Sequence, residues 1–224
     1  MAAGIGSRLG RSLPKAMVKL DGHKTILDYQ LENLKRIIKT EDIIVVVGYK
    51  KNLIINEHPN LSFIYNKHYM ETNTSKSLLL ALEKIGIDSD VLWLNGDIVF
   101  APEILTSIIK NNNENLICVN SNPVSEEEVK YALNEDGYIK NISKNVQSAV
   151  GEAIGINFVT KKSISQLISC LQGCNNMDYF EKGLECAIRK GIKFFPLNVN
   201  EYFSEEIDFE KDLEKAIKFV KGEN

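Results

Sequence analysis

The sequence has no run of about 18 apolar residues, so nothing in it has the length and hydropathy of a membrane-spanning helix. Cysteine is sparse: four in 224 residues. None forms a C-x-x-C pair, and no histidine lies near enough in sequence to complete a zinc knuckle. Cys118, Cys170, Cys174 and Cys186 therefore read as reduced thiols of a cytoplasmic protein. With 5 prolines and 14 glycines, collagen-like and low-complexity chains are excluded. An excess of basic charge is also missing. Lys and Arg number 27 against 30 Asp and Glu, giving a net charge of −3 and an isoelectric point of about 5.7. Such a surface does not coat nucleic acid, although a local basic pocket stays allowed. The first residues lack the apolar core of a signal peptide.

What is present fits an ordinary globular domain, with 44% hydrophobic and 25% charged residues. Residues 43–47 are a β-branched run followed by Gly48 and read as a buried strand. Further strands are predicted over 61–65, 91–94, 116–119, 152–160 and 193–197. Leu27, Leu31, Leu34 and Ile38 recur at helical spacing, and helices are also predicted over 75–85, 102–110, 163–171, 178–189 and 209–220. Residues 129–133 and 138–142 flank Glu135-Asp136-Gly137, a hairpin turn sequence. The alternation predicts an α/β, Rossmann-like three-layer sandwich with a mixed, mainly parallel sheet. A small β-hairpin subdomain or lid is expected at about 123–150. No linker, charge block or repeat interrupts the chain, so 1–224 reads as a single domain.

Four segments carry chemistry. The first is Ala2-Ala3-Gly4-Ile5-Gly6-Ser7-Arg8-Leu9-Gly10, followed by Pro14-Lys15. Its glycines let a turn aim several backbone N–H groups at one anion. Arg8 adds a planar fork for phosphate oxygens and Lys15 a compact cation. The loop suits a nucleotide triphosphate. It departs from the dinucleotide fingerprint, because the third glycine falls one place late, and from the P-loop, whose pattern is absent. The second segment is Asn95-Gly96-Asp97, at the end of an apolar strand. Ligands of open α/β sheets sit beyond the carboxyl ends of strands, and a carboxylate there can hold Mg²⁺. A plain turn aspartate is the competing reading. The third is Glu206-Ile207-Asp208, where Asp208 can equally be a helix N-cap. The fourth is Glu71-Thr72-Asn73-Thr74-Ser75-Lys76-Ser77, a helix start with competent caps.

These residues resemble the nucleotidyltransferases that activate sugar phosphates and small alcohol phosphates. That family opens with a strand, A-A-G-x-G-S-R-L, a short loop and P-K. Only Met1 to Ala3 precede the glycines here, so either the numbering begins at an internal Met, the favoured reading, or the chain departs from the family and closes its sheet differently. The resemblance implies that Asp97 and Asp208 share Mg²⁺, and that Ala2, Ala3, Gly4, Ile5, Gly6 and Ser7 wrap the nucleotide with Arg8 and Lys15. It implies that Gly48, Asn73 and Ser77 border the base, and that Lys144, with Lys130 beside it, takes the acceptor phosphate. Glu152 and Asp178 can face an amine or hydroxyls of the acceptor, and Trp93 reads as core. The segments 66–77, 141–144 and 151–156 look closest to the branch that transfers cytidylyl groups from CTP to phosphocholine and related small phosphates. That branch is similar to a bacterial capsule-pathway enzyme using the phosphorylated amide of glutamine. None of His23, His58 and His68 stands out as a catalytic base. A sugar 1-phosphate nucleotidyltransferase, a non-catalytic nucleotide-binding regulator and a dinucleotide-dependent oxidoreductase are the alternatives. Nucleic acid and membrane are not expected as partners, and a homo-oligomer is left open.

Overall fold

The structure, a computed structural model, describes residues 1–6, 9, 10, 12–121 and 128–223. A short antiparallel pair comes first, β1 (Lys19–Asp21) and β2 (Lys24–Thr25). Thr25 then caps α1 (Ile26–Leu34). Its hydroxyl accepts from the Asp28 N–H at 3.1 Å, while the Asp28 carboxylate accepts from the Thr25 N–H at 2.8 Å. This reciprocal box satisfies two donors that a helix start leaves orphaned. β3 (Ile44–Val47), α2 (Lys51–Glu57) and β4 (Ser62–Tyr65) form a β–α–β unit with parallel strands. Next come α3 (Thr74–Ile85), β5 (Val91–Leu94), β6 (Ile98–Phe100), α4 (Glu103–Lys110) and β7 (Leu116–Asn120). The hairpin β8 (Lys130–Leu133) and β9 (Ile139–Ser143) precedes the long β10 (Gly151–Val159). The chain ends with α5 (Lys161–Gln172), α6 (Phe180–Arg189), β11 (Phe195–Asn198), β12 (Ser204–Glu206) and α7 (Glu210–Lys221).

Two compact units result, each discontinuous in sequence. The first comprises Met1–Met70, Asn95–Leu105 and Tyr202–Asn224, the second Glu71–Leu94 and Thr106–Glu201. The chain passes from one to the other without a linker-like stretch, so composition carries no trace of the division.

In the first unit, Ala2 pairs in parallel with Val47, its N–H donating to Val46 O at 2.8 Å. β6 and β12 run antiparallel, with Ile98 opposite Glu206 and Phe100 opposite Ser204. Val18, Leu20, Ile26, Val99, Ile207, Leu213 and Ala216 pack into one core that ties β1, α1, β6 and α7 together. Each large aliphatic side chain so buried is worth roughly 1.5–3 kcal/mol.

In the second unit the sheet order is β11–β7–β10–β8–β9, and β5 also pairs with β10. β10 is long enough to serve two neighbours along one edge: Gly151 and Glu152 pair with β8, and residues 156–159 with β5. Its other edge takes β7, with a register shift between Ala153 and Asn157 where Gly155 adopts φ +74°. The expected hairpin is therefore hydrogen-bonded into the sheet of its unit. The sheet is mixed, as expected. Its parallel share is smaller than strand–helix alternation suggests, since β10 runs antiparallel to β5, β7 and β8 and only β7–β11 is parallel. Trp93 is core, as read, with its ring edge-on to Phe180. All four cysteines are free thiols. Among the described residues no helix is long and apolar enough to cross a membrane.

Candidate active site

The β6–β12 ladder was not legible in the sequence, and it builds the centre of the site. Asp97 immediately precedes β6, and Asp208 lies two residues beyond β12. The strands are antiparallel, so the start of one meets the end of the other. The Ile207 N–H closes this end of the ladder by donating to Asp97 O at 2.9 Å. Both carboxylates then reach one cation. Lys15 Nζ donates to Asp97 Oδ2 at 2.9 Å and also to Asp208 Oδ1. The three side chains are 15–23% exposed. Burial works against the Lys15 ammonium, but the neighbouring Asp97 and Asp208 outweigh it and hold its pKa above the ordinary lysine value.

Residues outside the sequence motifs hold this centre in place. Gln30, buried on α1, donates from Nε2 to Asn95 O at 2.9 Å and to Ile98 O at 2.7 Å, pinning the turn that carries Asp97. Its only sequence signal is an amide on a helical face otherwise lined by Leu27, Leu31 and Leu34. Asp212, in the first turn of α7, accepts from the Phe209 N–H at 2.8 Å and the Asp208 N–H at 3.2 Å. The N-cap of α7 is Phe209, not Asp208. Asp208 is thereby left to turn its carboxylate toward Lys15. Gly6 has φ +68°, and a β-carbon there would lie 2.6 Å from Lys15 Cγ. Glycine at this position gives the lysine stem room.

Two carboxylates converging on one cation are the donor set Mg²⁺ uses when substrate phosphates and water complete its shell. Among the described residues no group of three or more His, Cys, Asp or Glu is placed to hold a metal ion. A preformed all-protein cage is thus not what this donor set offers. The pair fits an ion that arrives with a phosphate ligand.

Residues 2–6 of the glycine segment belong to the same unit as this centre. Ala3 O accepts from the Tyr49 N–H at 3.1 Å, which brings Gly48 against the start of the loop. Gly4 is open and Ile5 exposed. Ser7 and Arg8 lie outside the described residues.

The expected acceptor residues, and Asn73 and Ser77 of the expected base residues, belong to the second unit. Asn120, Glu152, Lys130 and Ser143 form one row across β7, β10, β8 and β9, so their side chains share a sheet face. Asn120 Nδ2 donates to Glu152 Oε1. Lys144 is placed elsewhere, its Nζ 5.4 Å from the centre of the Tyr179 ring. Asn73 caps α3, accepting from the Thr74 N–H at 2.8 Å, and Ser77 is buried on the same helix. Asp178 closes its own turn, its Oδ2 accepting from the Asn175 N–H at 2.7 Å. A carboxylate that escaped sequence reasoning is Glu181. It is buried in the first turn of α6, and burial pushes its pKa up to about 7 despite its own backbone N–H and the charge of Lys144.

An NTP-transferase domain is the class that this glycine turn and carboxylate pair suggest, and comparison with known proteins places the chain in it. Residues 1–152 match the model of the MobA-like NTP transferase domain, and the chain belongs to that family. The bifunctional protein GlmU of Methanococcus maripaludis is 34% identical over 118 residues, which span 50% of this chain and 27% of that protein. GlmU of Buchnera aphidicola is 30% identical over 118 residues, 52% of this chain and 25% of that protein. The chain thus spans about a quarter of the length of these curated relatives. Among solved structures, the CTP:phosphocholine cytidylyltransferase LicC of Streptococcus pneumoniae superposes with a TM-score of 0.78 at 21% identity, covering 98% of this chain and 96% of that one. The inositol-1-phosphate CTP transferase of T. maritima gives a TM-score of 0.79 at 20% identity, covering 97% and 94%. At these identities the likeness is one of fold.

Proposed function

We propose that the chain, acting as one domain over 1–224, is an Mg²⁺-dependent nucleotidyltransferase. It moves a cytidylyl group from CTP to a small phosphorylated acceptor and releases pyrophosphate. The observation that carries this reading is the convergence of Asp97 and Asp208 on Lys15 beside the Gly4–Gly6 turn. The preference for CTP rests on the fold likeness to two CTP-dependent transferases. In the resembling branch, such activated small phosphates serve surface-polysaccharide decoration.

The chemistry follows from charge. An acceptor phosphate has a second pKa near 6 and is largely dianionic at neutral pH, so it needs no general base. One of its oxygens attacks the α-phosphorus of CTP, the α–β bridging P–O bond breaks, and the electron pair leaves on pyrophosphate. Repulsion between anions is the obstacle, so catalysis consists of positioning and charge neutralisation. Asp97 and Asp208 would hold Mg²⁺, which when bound supplies positive charge to the triphosphate. Lys15, Arg8 and the backbone of residues 4–7 stabilise the departing pyrophosphate. Lys144, with Lys130, Glu152 and Asp178 as further candidates, serves the acceptor.

The test is pyrophosphate release from CTP with and without Mg²⁺, scanned over phosphocholine, polyol phosphates and sugar 1-phosphates, then repeated with UTP and dTTP. Release that needs Mg²⁺, CTP and a small phosphate supports the reading. Preference for a sugar 1-phosphate and another nucleotide would replace it with sugar-nucleotide synthesis. No release with any pair would remove it.

A further inference from the structure

Among the described residues, Ser75 Oγ, Trp93 Nε1, Asn157 Nδ2 and Glu181 Oε2 are all buried with no hydrogen-bond partner. The residues that carry them, on α3, β5, β10 and α6, are at most 8% exposed. They gather at the start of α6. Trp93 and Asn157 are cross-strand partners on β5 and β10 and so share a face. The Trp93 ring meets Phe180 edge-on, with centroids 5.8 Å apart. The Phe180 N–H donates to Thr74 Oγ1 at 2.9 Å, and the Ser75 N–H donates to Asp178 O at 3.3 Å. Glu181 follows Phe180 directly. One end of this corner reaches solvent, because Tyr179 is 46% exposed and Lys144 lies over its ring.

Buried polar atoms are almost always paired, and each one left unpaired costs free energy that packing does not return. Four such atoms at one helix start, in the second unit of the chain, need a common explanation. We infer that Ser75, Trp93, Asn157 and Glu181 form the recognition site for the acceptor's head group, with Glu181 as its specificity-determining residue. The head they select both donates and accepts hydrogen bonds, as a polyol or an amide does. The donor inventory carries the choice. The Trp93 and Asn157 N–H groups need an acceptor, Glu181 Oε2 needs a donor, and the Ser75 hydroxyl can do either. A quaternary ammonium supplies no N–H donor and no acceptor. It would leave the Trp93 and Asn157 N–H groups as unsatisfied as before.

This inference rests on the acceptor reading of Lys144, and its test separates the two. Trp93 is the chain's single tryptophan and reports on the site directly. The full chain, without nucleotide, is titrated with glycerol phosphate, inositol phosphate and phosphocholine while Trp93 emission is followed. Both polyol phosphates should shift the emission and bind more tightly than phosphocholine. At pH 8, where the Glu181 carboxylate is ionised, Glu181→Gln should weaken the polyol phosphates by about ten- to a hundredfold, as expected when a hydrogen bond loses its charged acceptor, and leave phosphocholine unmoved. Ser75→Ala is the second variant should Glu181→Gln not fold, with a smaller loss in the same direction. Phosphocholine binding as tightly as the polyol phosphates, or selectivity that survives in the variants, would overturn the inference. So would unchanged emission with every phosphate, which would assign the four groups to internal water. Emission shifts without pyrophosphate release in any assay would instead remove the transferase reading and leave the binding site standing.

Discussion

Lys15 donates to Asp97 at 2.9 Å, although the two residues stand 82 positions apart in the chain. The same ammonium reaches Asp208, 193 positions away. A lysine thus sits between the two carboxylates that the resemblance assigns to a metal, neutralising what would otherwise be a facing pair of like charges. Were the pair to hold a divalent ion, as proposed, that ion and the Lys15 ammonium would compete for the same two carboxylates.

Replacing Asp97 or Asp208 with Asn should lower Mg²⁺-dependent pyrophosphate release by roughly a hundred- to a thousandfold, the usual cost of one transition-state electrostatic contact. The far-ultraviolet circular dichroism of each variant should match that of the wild type. Wild-type turnover at saturating CTP in either variant would remove the metal assignment.

Lys15→Met should separate ion binding from catalysis. Without the ammonium, Asp97 and Asp208 lose the cation they share, and their appetite for another cation rises. Mn²⁺ titrated into the nucleotide-free variant and followed by electron paramagnetic resonance should bind about tenfold more tightly, an effect of about 1.4 kcal/mol. Turnover should fall, because the pyrophosphate loses a cation. Equal Mn²⁺ affinity in the two proteins would show that the lysine does not compete for the pair.

Glu181 predicts a pH dependence of stability. Its pKa rises from an ordinary 4.5 to about 7 through burial. Between those values the folded chain binds a proton that the unfolded chain has lost, so stability falls as pH rises through this window. A shift of that size corresponds to about 3 kcal/mol at most. Urea midpoints measured at pH 5 and pH 8 should drop for the wild type and drop less for Glu181→Gln. Parallel changes in the two proteins would place the titrating group elsewhere.

Thr25→Ala removes the hydroxyl that accepts from the Asp28 N–H and should cost about 1 kcal/mol of stability. Because α1 also carries Gln30, which holds the turn before Asp97, the local unfolding of this helix is tied to the site. Hydrogen exchange of the α1 amides should speed up in the variant. Unchanged exchange would show that the cap is dispensable.

Much of the molecule could be read directly from residue order. β3, β5, β7 and β10 are long enough to display an apolar run, and α3, α5, α6 and α7 are long enough to display helical spacing. The glycine turn, Lys15, Asp97 and Asp208 were legible because each lies in a short pattern whose residue types suit phosphate or a cation. By contrast, β1, β2, β6 and β12 are two or three residues long, too short for any period to register. Gln30 and Glu181 carry no pattern at all; an amide or a carboxylate within an amphipathic helix looks the same whether it faces solvent or the interior.

By itself, the sequence determined which chemical groups are available and which elements carry them, because hydrophobic spacing and turn chemistry act over neighbouring residues. Tertiary structure alone decided that Lys15 lies between Asp97 and Asp208, that Gln30 and Asp212 brace them, and that Glu181 is buried with no partner for Oε2 among the described residues. Those facts depend on antiparallel register between β6 and β12 and on packing at the start of α6. Both are set by contacts between residues distant in the chain, where local propensity has no influence.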